Sequence, residues 1–271
     1  MERIRLVSED TGASAEVTTH GAHVVSFVSR DKEVLFVSRK AIFEPPKAIR
    51  GGIPICFPQF SDFGPCRQHG FARNSTFKVE SKSASSVVLV LRGVDIQHEE
   101  FPYKFVLRIC VEIKGDALVQ KVDVVNEEEN VPFEFSFAFH TYFRVQHVDQ
   151  ARLIGLQNCR YLDSLSDREE RVEDGEDIRF GKEEVDRIYL NSPSSLTLMD
   201  GENRTSRMTQ SESLRDVVVW NPYIDKSKSM KDLDDDEWKD FVCAEAAQAG
   251  SGLVTLKPGE SWSGEIMITA S

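Results

Sequence analysis

Alternation runs through this chain from end to end. The runs AEVTTHGAHVVSFVS, SSVVLVLRG, KFVLRICVEIKGDALVQKVDVVNEE, FEFSFAFHTYF, DVVVW, FVCAEAA and GLVTLKPGESWSGEIMIT follow one another, rich in Val, Ile, Phe and Thr. Gly, Asp, Asn and Pro punctuate them. Side chains two apart share one face of a strand, so each run can bury one face and wet the other. IKGDALV reads as a hairpin in which Lys114-Gly115-Asp116 turns between two alternating strands. No stretch holds a helical period long enough for an amphipathic helix. The expectation is an all-β chain, a large antiparallel β-sandwich forming one domain over residues 1–271. A chain of 271 residues can bury a core of that kind without covalent staples. Two acidic stretches, SDREERVEDGED and SMKDLDDDEWKD, read as solvated loops. The second lacks the Gly and terminal Glu of a calcium loop.

Charge narrows the partners. Lys and Arg number 33 against 45 Asp and Glu, a formal net charge of -12. Such a field repels phosphate backbones and anionic lipid, which argues against nucleic-acid and membrane partners. Any anionic ligand needs positive charge gathered locally. Five scattered cysteines without a C-x-x-C pair suit a reducing compartment rather than a disulfide framework or a zinc site. MERIRLVSED lacks the apolar core of a secretory signal, and no run approaches the ~18 apolar residues of a membrane span. The sequons at Asn74 and Asn203 then carry no meaning. A cytoplasmic monomer acting on a small molecule is expected.

Within FEFSFAFHTYFRV, Phe133, Phe135, Phe137 and Phe139 fall on one strand face; Glu134, Ser136, Ala138, His140 and Tyr142 fall on the other. The rings must be buried. The opposite face is small or polar and leaves room in front of His140, which is either a satisfied core histidine or a proton-transfer group with a pKa near neutrality. Glu245 in FVCAEAA is a carboxylate in an apolar strand, either tied to a buried partner or raised in pKa toward use as a base. AIRGGIPICFPQFSDFGPCRQHGFARNSTF carries Arg50, Arg67 and Arg73 with Gln68 and His69 in an irregular loop. Arginine forks suit phosphate or carboxylate, though ordinary surface ion pairs would also account for them. Asp186 stands at the edge of a strand in VDRIYLN, and Trp220 and Tyr223 can stack on a sugar or fill core. Phosphate-loop, dinucleotide-fold, G-x-S-x-G and H-E-x-x-H motifs are all missing. His20 and His23 are spaced to point to opposite strand faces, a poor metal pair. An acid/base site without cofactor or metal is what remains.

AIRGGIPICFPQF, QHGFAR, FAFHTYFRV, VDRIYLN, VVVWNPYIDKSKSM and CAEAA followed by LKPGESW resemble, in order, the glucose-6-phosphate 1-epimerase branch of the aldose 1-epimerase (galactose mutarotase-like) superfamily. The resemblance implies a supersandwich with a sugar cleft. It places the catalytic pair on His140 and Glu245 and sugar-phosphate binding on Arg50, Gln68, Arg73 and Asp186, with His69 lining the sugar pocket. Ala246-Ala247 departs from the Pro-Gly that follows the glutamate in many relatives. The implied reaction interconverts α and β anomers of a hexose 6-phosphate, with Glu245 carboxylate as base and His140 imidazolium as acid. A neutral-sugar epimerase and a non-catalytic sugar-phosphate sensor are the alternatives.

Overall fold

The computed structural model describes residues 1–202 and 204–271; the sequon asparagine Asn203 lies outside them. Among the described residues, two large antiparallel sheets face each other across one core. The nine-stranded sheet runs Asp177–Arg179, Arg152–Ile154, Ser195–Met199, Thr205–Gln210, Ser261–Ala270, Ala117–Asn126, Phe105–Lys114, Ser86–Arg92 and Lys78–Lys82 in spatial order. Phe105–Lys114 and Ala117–Asn126 form the expected hairpin, with Lys114 opposite Ala117. Gly115 takes a φ of 60°, the positive value that a two-residue hairpin turn puts at its first central position. Leu107, Ile109 and Val111 point inward there, while Arg108, Cys110 and Glu112 alternate outward, and the sequence period becomes a core face.

The eight-stranded sheet carries the other half of the core. Its order is Glu169–Val172, Arg160–Asp163, Val185–Tyr189, Asp216–Asn221, Phe241–Gln248, Phe137–Phe139 and Ile55–Cys56, and Tyr142–Arg144 also pairs with Phe241–Gln248. Its two central strands, Asp216–Asn221 and Phe241–Gln248, are buried at every position, so both of their faces are covered. One face contributes Phe137, Phe139, Val217, Val219, Val242, Ala244 and Ala246 to the shared core, which extends along the chain from Ile4 to Ala270. The opposite face carries Ala138, Ile188, Val218 and Ala247 in one small cluster and Tyr142, Trp220 and Cys243 in another. That second face is the floor of a cleft.

The phenylalanine slab sorts as expected, but the strand is not continuous. Ser136 interrupts it, donating its N–H to Pro58 O while its hydroxyl accepts from Phe60 N at 2.7 Å. A second break falls at His140–Thr141, where Thr141 N–H bonds back to Phe139 O and His140 N–H donates to Pro54 O. Alternation reports facing but not where partners change. The acidic stretches correct the expectation of solvated loops. Part of the first forms the edge strand Glu169–Val172. The second holds the short 3₁₀ turn Glu237–Lys239 and buries Glu237, whose carboxylate accepts from Ser38 Oγ at 2.6 Å, Arg39 N at 2.9 Å, Arg39 Nε at 3.1 Å and Asp234 N at 3.0 Å. A buried carboxylate with four donors is a structural clamp. No helix among the described residues is long and apolar enough to cross a membrane, and all five cysteines are free.

Candidate active site

The cleft, about 680 Å³, is lined by all seven residues singled out from the sequence: Arg50, Gln68, His69, Arg73, His140, Asp186 and Glu245. Arg67 is not among its walls. Two buried histidines explain how the arginine loop is fixed. His20 Nε2 and His23 Nε2 each lie 2.6 Å from a backbone carbonyl, of Lys47 and Gly51. A carbonyl only accepts, so both rings carry their proton on Nε2. His20 and His23 thus anchor the loop. Gly52 is required where the loop meets the strand His23–Ser29: its φ is 65°, and a Cβ there would come within 2.2 Å of Val24 O.

The loop delivers two arginines in different states. Arg50 Nη1 donates to Tyr142 Oη at 2.9 Å and Nη2 donates to Asp232 at 3.2 Å, while its Nε is buried without a partner. Arg73 Nη2 donates to Gln68 O at 3.0 Å; its Nε too is buried and unpartnered, and no carboxylate among the described residues pairs with it. A half-buried guanidinium without a counter-ion, in a chain of net charge -12, calls for an anion from outside. His69, at a φ of 67°, accepts Ser61 N–H on Nδ1 at 3.1 Å, which puts its proton on Nε2. Burial, then Arg73 and Arg50, hold its pKa well below the ordinary imidazole value, so it stays neutral.

His140 and Glu245 face each other across adjacent strands. Phe139 pairs with Ala246 and Tyr142 with Cys243, and the break between them brings imidazole and carboxylate together. Nδ1 of His140 lies 3.1 Å from Glu245 Oε1. The approach is off the ring's donor direction, so Nδ1 and Glu245 Oε2 are both left without a hydrogen bond. Tyr142 stacks on the imidazole at 4.8 Å and 8°, while His69 and Trp220 meet it edge-on at 5.4 and 6.1 Å. Burial, then His69, Arg73 and Arg50, push the His140 pKa well down. Burial and then Asp186 push Glu245 well up, against the pull of Arg73. Both directions favour a neutral pair with the proton on the carboxyl, not the preformed imidazolium and carboxylate expected from sequence. The cost of desolvating a charge inside an apolar strand is what resemblance does not carry.

Asp186, opposite Trp220 in the sheet, is raised in pKa by burial against a hydrogen bond from Ser164. Trp220 lines the cleft, whereas Tyr223 packs edge-on against Trp238 at 4.8 Å and fills core. Sequence reasoning missed Ser164, Arg168 and Lys226 as cleft residues. Lys226 lies in VVVWNPYIDKSKSM, one of the motifs of resemblance, but no periodicity marks it.

An antiparallel supersandwich with an imidazole–carboxylate pair on the floor of a polar cleft defines an epimerase of the mutarotase class. Comparison with known proteins then gives the family. The profile of the aldose 1-epimerase family matches residues 3–269, and the chain belongs to that family. A protein of Cenchrus ciliaris named "Putative glucose-6-phosphate 1-epimerase" is 40% identical over 269 residues, covering 94% of this chain and 81% of its own length. One of the same name from Escherichia coli (strain K12) is 34% identical, with 90% and 83% covered. A solved structure from Salmonella typhimurium, described as "a putative mutarotase", superimposes with a TM-score of 0.85 at 27% identity, covering 96% of this chain and 87% of that one.

Proposed function

We propose that the chain interconverts the α and β anomers of a hexose 6-phosphate, glucose 6-phosphate first, by opening and reclosing the pyranose ring. The observation that carries this reading is Arg73, a half-buried guanidinium without a carboxylate partner among the described residues, in the same cleft as His140 and Glu245. The first supplies a place for a phosphate ester; the other two supply one acid and one base. Opening needs a base for the C1 hydroxyl proton and an acid for the ring oxygen. Glu245 is assigned as the base and His140 as the acid. The neutral pair reaches that state by passing the carboxyl proton across the 3.1 Å gap to His140 Nδ1, leaving Nε2–H to protonate the ring oxygen. Arg73 favours the carboxylate so formed. Rotation about C1–C2 and closure with the roles reversed deliver the other anomer. Each proton transfer contributes on the order of 10²–10⁴-fold.

Arg50 and Arg73 are assigned to the phosphate, and Gln68, Asp186 and the Nε2–H of His69 to sugar oxygens. The continuous core supports one domain over the whole chain. Five free cysteines suit the cytosol, and a monomer suffices because every assigned group comes from one chain. The test is anomeric exchange by NMR magnetisation transfer on glucose 6-phosphate and glucose, with wild type and Glu245→Gln. Exchange of the phosphate ester that is lost in the variant while binding persists supports the reading. Equal exchange of both sugars points to a neutral-sugar epimerase. Binding of the phosphate ester without exchange makes the protein a sensor.

A further inference from the structure

Arg50 and Arg73 enter the cleft from segments on either side of the strand Ile55–Cys56, yet only Arg50 is already matched with a carboxylate. Asp232 takes its Nη2 at 3.2 Å, and both side chains are mostly buried, at 20% and 24% exposure. Asp232 follows Ser229 and Met230, which line the cleft, and precedes Leu233, which is fully buried. Farther on, the Glu237 clamp ties the same segment to Ser38 and Arg39. The segment is thereby anchored beyond Asp232, and among the described residues the Asp232 carboxylate bonds to Arg50 alone, so leaving Arg50 breaks no other hydrogen bond. A neutral sugar offers nothing that competes for a guanidinium held this way. A phosphate dianion offers twice the charge of a carboxylate and oxygens for both edges of the fork.

We propose that Asp232 is a specificity-determining residue, an internal counter-ion on Arg50 that a phosphate ester displaces and a neutral hexose does not. This deepens the phosphate assignment given to Arg50 above and rests on it. Arg73 then acts as the open anion site and Arg50 as the conditional one. Asp232 subtracts from the affinity of every anion in the cleft, and weak anions such as free carboxylates lose most because they cannot take Arg50 from it. The alternative role for the same contact is a clamp that orients Arg50. The two roles predict opposite signs for loss of the carboxylate. A displaced counter-ion, once neutralised, leaves binding tighter; a missing clamp leaves it weaker.

The experiment is calorimetric titration of inorganic phosphate, glucose 6-phosphate and glucose into wild type, Asp232→Asn, Arg50→Met and the double variant. Asp232→Asn is expected to tighten both phosphate ligands about tenfold, equivalent to roughly 1.4 kcal/mol, leave glucose unchanged, and have no effect in the Arg50→Met background. Weaker phosphate binding by Asp232→Asn overturns the proposal in favour of a clamp. Tightening that persists without Arg50 overturns it in favour of a general field effect. Inorganic phosphate reports on the exchange at Arg50 without sugar or turnover. Failure of this inference is thereby distinguishable from failure of the epimerase reading, which rests on anomeric exchange.

Discussion

Replacing Arg73 by Met keeps most of the side-chain volume and removes the one cleft arginine that no carboxylate neutralises. Arg73 spends Nη2 on Gln68 O, so Nε and the remaining Nη face of the fork are left for a ligand. A hydrogen bond to a charged group contributes ~1.5–3 kcal/mol. Losing two at the lower figure costs about 3 kcal/mol, a weakening of the phosphate ester by roughly 10²-fold. A neutral hexose can lose one ordinary hydrogen bond from the same guanidinium, ~0.5–1.5 kcal/mol and at most about tenfold. The expected outcome is a selective loss: the ratio of glucose 6-phosphate to glucose affinity falls at least tenfold, as read by parallel titrations, with anomeric exchange of glucose 6-phosphate at low concentration falling in step. Equal losses for the two sugars would refute the phosphate assignment.

Arg73 also lowers the pKa of both His140 and Glu245, since a cation opposes protonating the imidazole and favours ionising the carboxyl. Both limbs of the pH profile of kcat/KM for neutral hexose should therefore move to higher pH in Arg73→Met; unmoved limbs would place the guanidinium away from the pair. His23 makes a stability prediction. Burial pulls its pKa from 6.5 to about 3, against the bond to Gly51, so the unfolded chain binds the extra proton first. Its contribution to stability is complete above the ordinary imidazole pKa and is lost as pH falls below it, about 2 kcal/mol between pH 7 and pH 5. His23→Gln should flatten that much of the loss in urea midpoints measured at the two pH values; an unchanged slope would show that another group carries it.

The face of each residue was legible in the sequence wherever a period of two governs burial. Phe137 and Phe139 went to the core and His140 to the cleft because strand geometry leaves no third option. Glu245 was legible for the opposite reason, as a charge in an apolar run. What stayed hidden depends on contacts distant in the chain. Nothing local in SMKDLDDDEWKD separates Asp232 and Glu237, which meet Arg50 and Ser38, from the neighbouring acids left to solvent. The protonation of the pair was equally out of reach, because it is set by burial and by Arg73, Asp186 and His69 together. His20 and His23 were read as neighbours along one strand, whereas the Gly21-Ala22 turn separates them, and their work as loop anchors needs carbonyls that only the fold supplies.

The position of Phe241–Gln248 at the centre of its sheet has a consequence for biosynthesis. Translation delivers the arginine loop first and the imidazole midway. The carboxylate comes last, on the strand that joins Asp216–Asn221 to Phe137–Phe139. Until it emerges, those two strands present open edges to each other and to other chains, the form in which nascent β proteins aggregate. The carboxylate assigned as the base thus travels on the segment that seals the sheet. A prematurely released chain would be inert and sticky together, and returning catalytic activity would mark the moment a refolding molecule closes the seam of its eight-stranded sheet.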